Sequence, residues 1–238
     1  MEISDYLINV IPVNLMELIA ALAGTYYLKK NAKNNKSEKY LILFLWFTLF
    51  VEIIGAYAPV AYFSNYQYFS FVENTVFEDN RWIYNIYSVA SVLFFMLYFR
   101  CHLKNKLRKK ILKILSFLFL ISSIAYLLFT NAFFYEDSKF TVVTGTLLLL
   151  VSVIFFYLEL LKSDTILKIK HFLPFYISVG TLIFYLCITP ISIFSEFFKA
   201  GNDLFINLQV SLLLYANIFM YSVYIIGFIV CQTKKKSY

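Results

Sequence analysis

The chain has 238 residues, of which 61% are hydrophobic and 15% charged, with a formal net charge of +7. Soluble domains average about 45–50% apolar and about 25% charged residues, so this chain has too little polar surface to cover itself in water. With 6 Gly, 4 Pro and 3 Cys in the whole chain, it is neither collagen-like nor a disulfide scaffold, and the composition indicates an all-α integral membrane protein.

Crossing a hydrocarbon core of about 30 Å takes about 20 helical residues. Seven apolar runs reach that length, at about residues 6–28, 40–62, 81–99, 111–130, 140–161, 172–194 and 204–231. The first is interrupted by Pro12, Asn14 and Glu17. Its Ala21-Leu22-Ala23 has the small-residue form of a signal-peptidase site, but Glu2 and Asp5 stand where a leader carries basic residues, so the run is expected to remain as a span. The second, fourth and fifth runs are nearly unbroken. After the second, Tyr62–Phe69 with Trp82 reads as an interfacial aromatic segment able to cap an outward-facing pocket. The sixth carries Pro174 and Pro190 near its ends, where a missing donor costs least. No run alternates every second residue as a β-barrel strand does. One seven-helix domain over residues 1–238 is expected, with no connection beyond about 20 residues and so no soluble catalytic domain. No internal repeat is evident; Pro59 and Pro190, near the outer ends of the second and sixth runs, give only faint support for one.

Charge orients the spans. Of the 21 Lys and Arg residues, 18 fall on connections 29–39, 100–113, 162–170 and the tail 234–236, and only Arg81, Lys139 and Lys199 on the opposite side. The positive-inside rule predicts the amino terminus outside, the carboxy terminus in the cytoplasm, and the cell membrane as location. Nine acids, Glu2, Asp5, Glu73, Glu78, Asp79, Glu136, Asp137, Glu196 and Asp203, share the outer side. The basic residues are therefore a membrane rim rather than a nucleic-acid surface. The stretch from Arg100 to Lys110 is dense enough to hold anionic lipid head groups, though topology alone accounts for it.

The residue inventory excludes much chemistry, and no enzymatic activity, metal or cofactor is expected. His102 and His171 both fall at cytoplasmic helix ends, too few and too far apart for an intramembrane zinc site. The last run holds no lysine for a retinal Schiff base, and no GxSxG, HExxH or phosphate-binding glycine loop occurs. Thr141-Val142-Val143-Thr144-Gly145 lacks the aromatic and second glycine of a potassium filter. The sequon Asn35-Lys36-Ser37 is cytoplasmic in this topology. Cys101 and Cys231 are juxtamembrane thiols open to acylation, and Glu159 is expected to snorkel to a solvated rim.

Two carboxyls stand apart. Glu17 lies about 11 residues, roughly 17 Å, from the outer end of the first run, and Glu52 about 12 residues, roughly 18 Å, from the inner end of the second. A charge at that depth costs on the order of 3 kcal/mol, so such residues usually face the bundle interior and serve function. Asn14, Glu17, Ala21 and Gly24 form one stripe, and Thr48, Glu52, Gly55 or Ala56, and Pro59 a second, which predicts that the acids are buried in a seam between the first two helices. Tyr84, Tyr87 or Ser88, and Ser91 form a stripe on the third helix, with Asn85 beside it; Asn217, Tyr221 and Tyr224 form one on the seventh. No Lys or Arg lies at this depth, so each Glu is expected to be protonated and hydrogen-bonded, or to meet an exchanged proton or a cationic ligand.

The candidate ligand- or proton-binding set is Glu17, Glu52, Asn14, Tyr84, Ser88, Ser91 and Asn217. Two functions fit it. One is a receptor-like or accessory sensory module with an outward pocket and a separate cytoplasmic signalling partner, resembling seven-helix sensory domains in topology only. The other is a small transporter or proton/cation pathway, against which the lack of clearly broken helices counts. The structural alternative is that protonated carboxyls simply glue helices together.

Overall fold

The computed structural model describes residues 3–31, 36–194 and 203–232. It contains seven helices long and apolar enough to span a membrane, and no strand among the described residues. These are α1 (Ile3–Lys30), α2 (Lys36–Gly55) with its continuation α3 (Tyr57–Phe63), α4 (Arg81–His102), α5 (Lys106–Phe129), α7 (Lys139–Leu160), α8 (Leu173–Phe194) and α9 (Asp203–Gln232); α6 (Ala132–Tyr135) is a single turn before α7. Several helices run about a turn past the apolar runs. Lys and Arg are good helix formers, and their long stems let the charged ends continue the helix into the rim.

Six spans close a ring in the order α1, α2, α4, α7, α8, α9 and back to α1, while α5 packs outside it against α4 and α7. The side chains of α5 explain its place: only Leu112, Ser116, Phe119, Ser123 and Leu127, one stripe, are buried. Elsewhere close approach comes from small residues. A Cβ on Gly180 would fall 2.7 Å from the Tyr224 ring, so the glycine is what lets α8 and α9 meet there. The odd number of spans puts the two ends of the chain at opposite ends of the bundle, called here the N-terminal and C-terminal ends.

The second span differs from the continuous helix expected. It is interrupted at Ala56, because Pro59 has no amide hydrogen for the Gly55 carbonyl four residues earlier. That carbonyl instead accepts from Asn80 Nδ2 at 2.7 Å, while Ala56 and Val60 keep helical bonds to Glu52 and Ala56 at 3.1 Å. Helix α2 also begins at Lys36, which puts Glu52 sixteen residues into the span and nearer the N-terminal end than the sequence pattern suggested.

Side chains clamp the connections. At the N-terminal end, the Tyr57 hydroxyl reaches the Phe77 and Asp79 carbonyls at 2.6 and 2.9 Å and accepts from Trp82 Nε1 at 3.0 Å. Tyr66 donates to Glu78 at 2.6 Å, and that bond to a carboxylate pushes the phenol up to about 12. Asn85, buried on α4, shares Nδ2 among the carbonyls of Ala132, Phe133 and Glu136, and its Oδ1 accepts from the Ser138 amide at 2.9 Å. At the C-terminal end, Glu159 is a cap rather than a solvated rim residue. Its carboxylate accepts from the backbone amides of Lys104 and Asn105 and sits 3.8 Å from Arg108, with its side chain only 13% exposed. The tight 103–105 turn aims those amides at α7. Of the two juxtamembrane thiols, Cys101 is exposed and Cys231 buried.

Asn85→Ala leaves several buried backbone groups at the α6 turn without their partner, at about 1–3 kcal/mol for each orphaned group. The variant is expected to lower the thermal unfolding midpoint in detergent clearly, whereas Ala at Asn131, an exposed residue whose side chain caps nothing, leaves it unchanged.

Candidate functional site

The ring encloses a 430 Å³ cavity, and every ring helix except α7 contributes to its lining. Glu17, Glu52, Asn14, Tyr84, Ser91 and Asn217 all line it. Ser88 does not: it lies one residue, or about 100° of helix rotation, from Tyr87, which occupies the inward position, and Ser88 offers only its carbonyl to the Ser91 hydroxyl. On α4 the inward face is Tyr84, Tyr87, Ser91 and Phe95.

The acids are not held between the first two helices. Glu17, 3% exposed, accepts at Oε1 from Tyr221 of α9 at 3.0 Å. Glu52 accepts at Oε2 from Tyr84 of α4 at 2.9 Å. Each carboxylate thus reaches past its expected partner to a tyrosine on its helix's other neighbour in the ring. The Tyr84 contact depends on Gly55, since a Cβ there would sit 2.7 Å from the Tyr84 hydroxyl. The three other lining tyrosines are also tied across helices: Tyr87 to Thr48 at 3.0 Å, Tyr185 to Ser91 at 2.8 Å and Tyr224 to Thr181 at 2.6 Å. Asn217 turns its amide back to the Leu213 carbonyl of its own helix at 2.9 Å.

Two lining acceptors are left over. Glu17 Oε2 and Asn14 Oδ1, one turn apart on α1, are buried without a hydrogen-bond partner. The lining carries three carboxyls, Glu17, Glu52 and Asp137, and no Lys, Arg or His among the described residues. Eight aromatic side chains are the largest group among the rest.

The cavity is blind at one end. Exposed Asp137, before α7, lines it at the N-terminal end. Toward the C-terminal end the ring is filled by Tyr27, Leu41, Phe99 and Phe228, all nearly inaccessible. The aromatic segment 62–69, read as interfacial and able to cap such a pocket, contributes nothing to its lining; Tyr62, Phe63 and Tyr66 instead border a separate cleft at the same end. A 590 Å³ groove between α4, α5 and α6 is larger, but its lining is almost entirely apolar and carries no titratable group except Tyr135. That composition suits lipid contact rather than chemistry.

Asp137, Asn9 and Tyr185 line the cavity without having been singled out by pattern. Tyr185 is one of 20 tyrosines in an apolar helix, and Asp137 reads as one more loop acid until the loop is placed. No protein-family model, curated protein or solved structure matches the chain.

Removing either donor deprives a cavity-lining carboxyl of its hydrogen bond, at about 1–3 kcal/mol. Tyr84→Phe and Tyr221→Phe are each expected to lower the thermal midpoint in detergent. Gly55→Ala is expected to reproduce the Tyr84→Phe loss and to add little on top of it, because both break the same contact.

Proposed function

We propose that this protein is a receptor-like membrane module that takes a small ligand into the ring cavity and acts through a separate cytoplasmic partner. The observation that carries the reading is the shape of the cavity: polar and acidic groups converge on a space of pocket size, reached from one end and stopped at the other by packed aromatic and aliphatic side chains. A pathway across the membrane needs that plug to open; a binding site does not. With the N-terminal end outside, the orientation that the distribution of basic residues supports, the mouth faces outward and the basic connections face the cytoplasm. Helices α4 and α9 both line the cavity and run on toward the C-terminal end, with Tyr84 near the start of α4 and Tyr221 past the middle of α9, and end at Arg100–His102 and Val230–Gln232. A ligand that draws a carboxyl away from its tyrosine changes how these helices pack, and the partner reads that change at the basic rim. The same rim, including Lys104, Arg108 and Lys162 around a polar cleft, suits anionic lipid head groups.

One observation favours a transporter or proton/cation pathway instead. The break at Ala56 lies one turn from Glu52, and interrupted helices beside midplane carboxyls are a transporter device. Flux separates the two readings. Purified protein in liposomes is expected to move neither protons nor organic cations; a flux that disappears with Glu17→Gln or Glu52→Gln replaces the receptor reading with the pathway.

Orientation is tested with a natural thiol. In a Cys187→Ser, Cys231→Ser background, exposed Cys101 is expected to resist a membrane-impermeant maleimide in intact cells and to react once the membrane is opened. Labelling in intact cells inverts the topology.

A further inference from the structure

The ring cavity carries an unmet demand for positive charge. Glu17 is 3% exposed, its Oε2 has no partner, and it lines the cavity together with Asn14, whose Oδ1 is also buried and unmet. Glu52 adds a second carboxyl with one oxygen bonded to Tyr84, and Asp137 adds a third at the mouth. Nothing basic among the described lining residues answers them. Buried polar groups are normally satisfied, and a carboxyl most of all. The missing partner is therefore a donor, and the donor that suits three acids is cationic.

The rest of the wall narrows the class further. An inorganic cation is held by about six oxygen ligands, whereas most of this lining is aromatic ring and apolar side chain. Rings of Tyr and Phe around acidic groups suit an ammonium head on an apolar body, which gains ion pairing at the carboxyls and cation–π attraction at the ring faces. An anion would meet three acids and no base. A volume of 430 Å³ lies in the size range of small-molecule sites, about 300–1,000 Å³.

We propose that the cavity binds a small organic cation, an amine or quaternary ammonium with an apolar body, its head between Glu17 and Glu52 and its body against the tyrosine rings. This rests on reading the cavity as a ligand site and names the ligand class. Asp137 then acts at the mouth, where an exposed acid raises the local concentration of cations.

The test uses three probes of one shape on the purified full-length protein in lipid nanodiscs: 2-phenylethylammonium, neutral 2-phenylethanol and anionic 3-phenylpropionate. Calorimetric titration is expected to give binding of the ammonium at least tenfold tighter than either analogue. Glu17→Gln and Glu52→Gln are each expected to weaken it at least tenfold while leaving the weak affinity for the alcohol unchanged, and a cooperative thermal transition certifies each variant as folded. If either variant does not fold, Asp137→Asn is the substitute, with a loss of at least threefold expected at low salt and abolished at high salt. Binding of the alcohol or the carboxylate as tightly as the ammonium, or ammonium binding indifferent to the acids, overturns the cation assignment and leaves the cavity as a ligand site. Binding of none of the three overturns both.

Discussion

Five cavity-lining tyrosine hydroxyls tie the ring helices together. In a bilayer there is no hydrophobic force between helices, since lipid tails are as apolar as leucine, and association depends on close packing and on interhelical hydrogen bonds, each worth about 0.6–2 kcal/mol. The bonds here run from Tyr84 and Tyr87 of α4 to α2, from Tyr185 of α8 to α4, from Tyr224 of α9 to α8 and from Tyr221 of α9 to α1. They pass through every ring helix but α7. Because a tyrosine carries its hydroxyl at the far end of a long, rigid ring, helices joined in this way need not close over the centre. The cavity is thus a by-product of the device that fastens the ring, and part of its wall is that fastening.

That identity of wall and fastening links ligand to architecture. Two of the five bonds end on carboxyls, so anything that competes for Glu17 or Glu52 also competes with a helix contact. Helix α5 stands outside this system, with a single buried stripe on α4 and α7, and α7 joins the ring away from the cavity, through Gly145 against Val92 and through the bonds of Thr146 to Thr189 and of Tyr157 to Ser178. The four consecutive helices α9, α1, α2 and α4 carry Glu17, Glu52 and the two tyrosines bonded to them.

Hydropathy and charge made the spans legible, because lipid imposes one requirement on every residue of a span and the count of about 20 follows from it. What it did not reveal was where a span departs from ideal helix. The break at Ala56 depends on a side chain, Asn80, that reaches back from beyond the next loop, and nothing in the local pattern of Gly55 to Pro59 says that such a partner exists. Glu159 was misread for a similar reason, since its position one turn from a helix end suits snorkelling until the 103–105 turn is folded beside it. For the cavity, expense was the guide. Polar residues at membrane depth are few, and six of the seven picked out on that basis converge. Ser88 fails because a stripe of period between three and four leaves two adjacent residues as rivals for one inward position, and only packing chooses between them. The partners of the acids were hidden by distance along the chain: adjacency of the first two helices suggested a seam, whereas ring closure gave Glu17 to the last helix.

That closure has a consequence for how the chain is made. Glu17 and Tyr221 are 204 residues apart, so at roughly 5–20 residues per second the carboxyl enters the bilayer some 10 to 40 s before its donor has been synthesised. A lone carboxylate in hydrocarbon costs on the order of 3 kcal/mol, and α1 meanwhile carries Pro12 and Asn14 as well. The first span is thus poorly suited to resting in lipid alone during translation, and its neighbours α2 and the insertion machinery must shelter it. Completion of α9 is what closes the ring, since only then does Tyr221 reach Glu17 on the first helix.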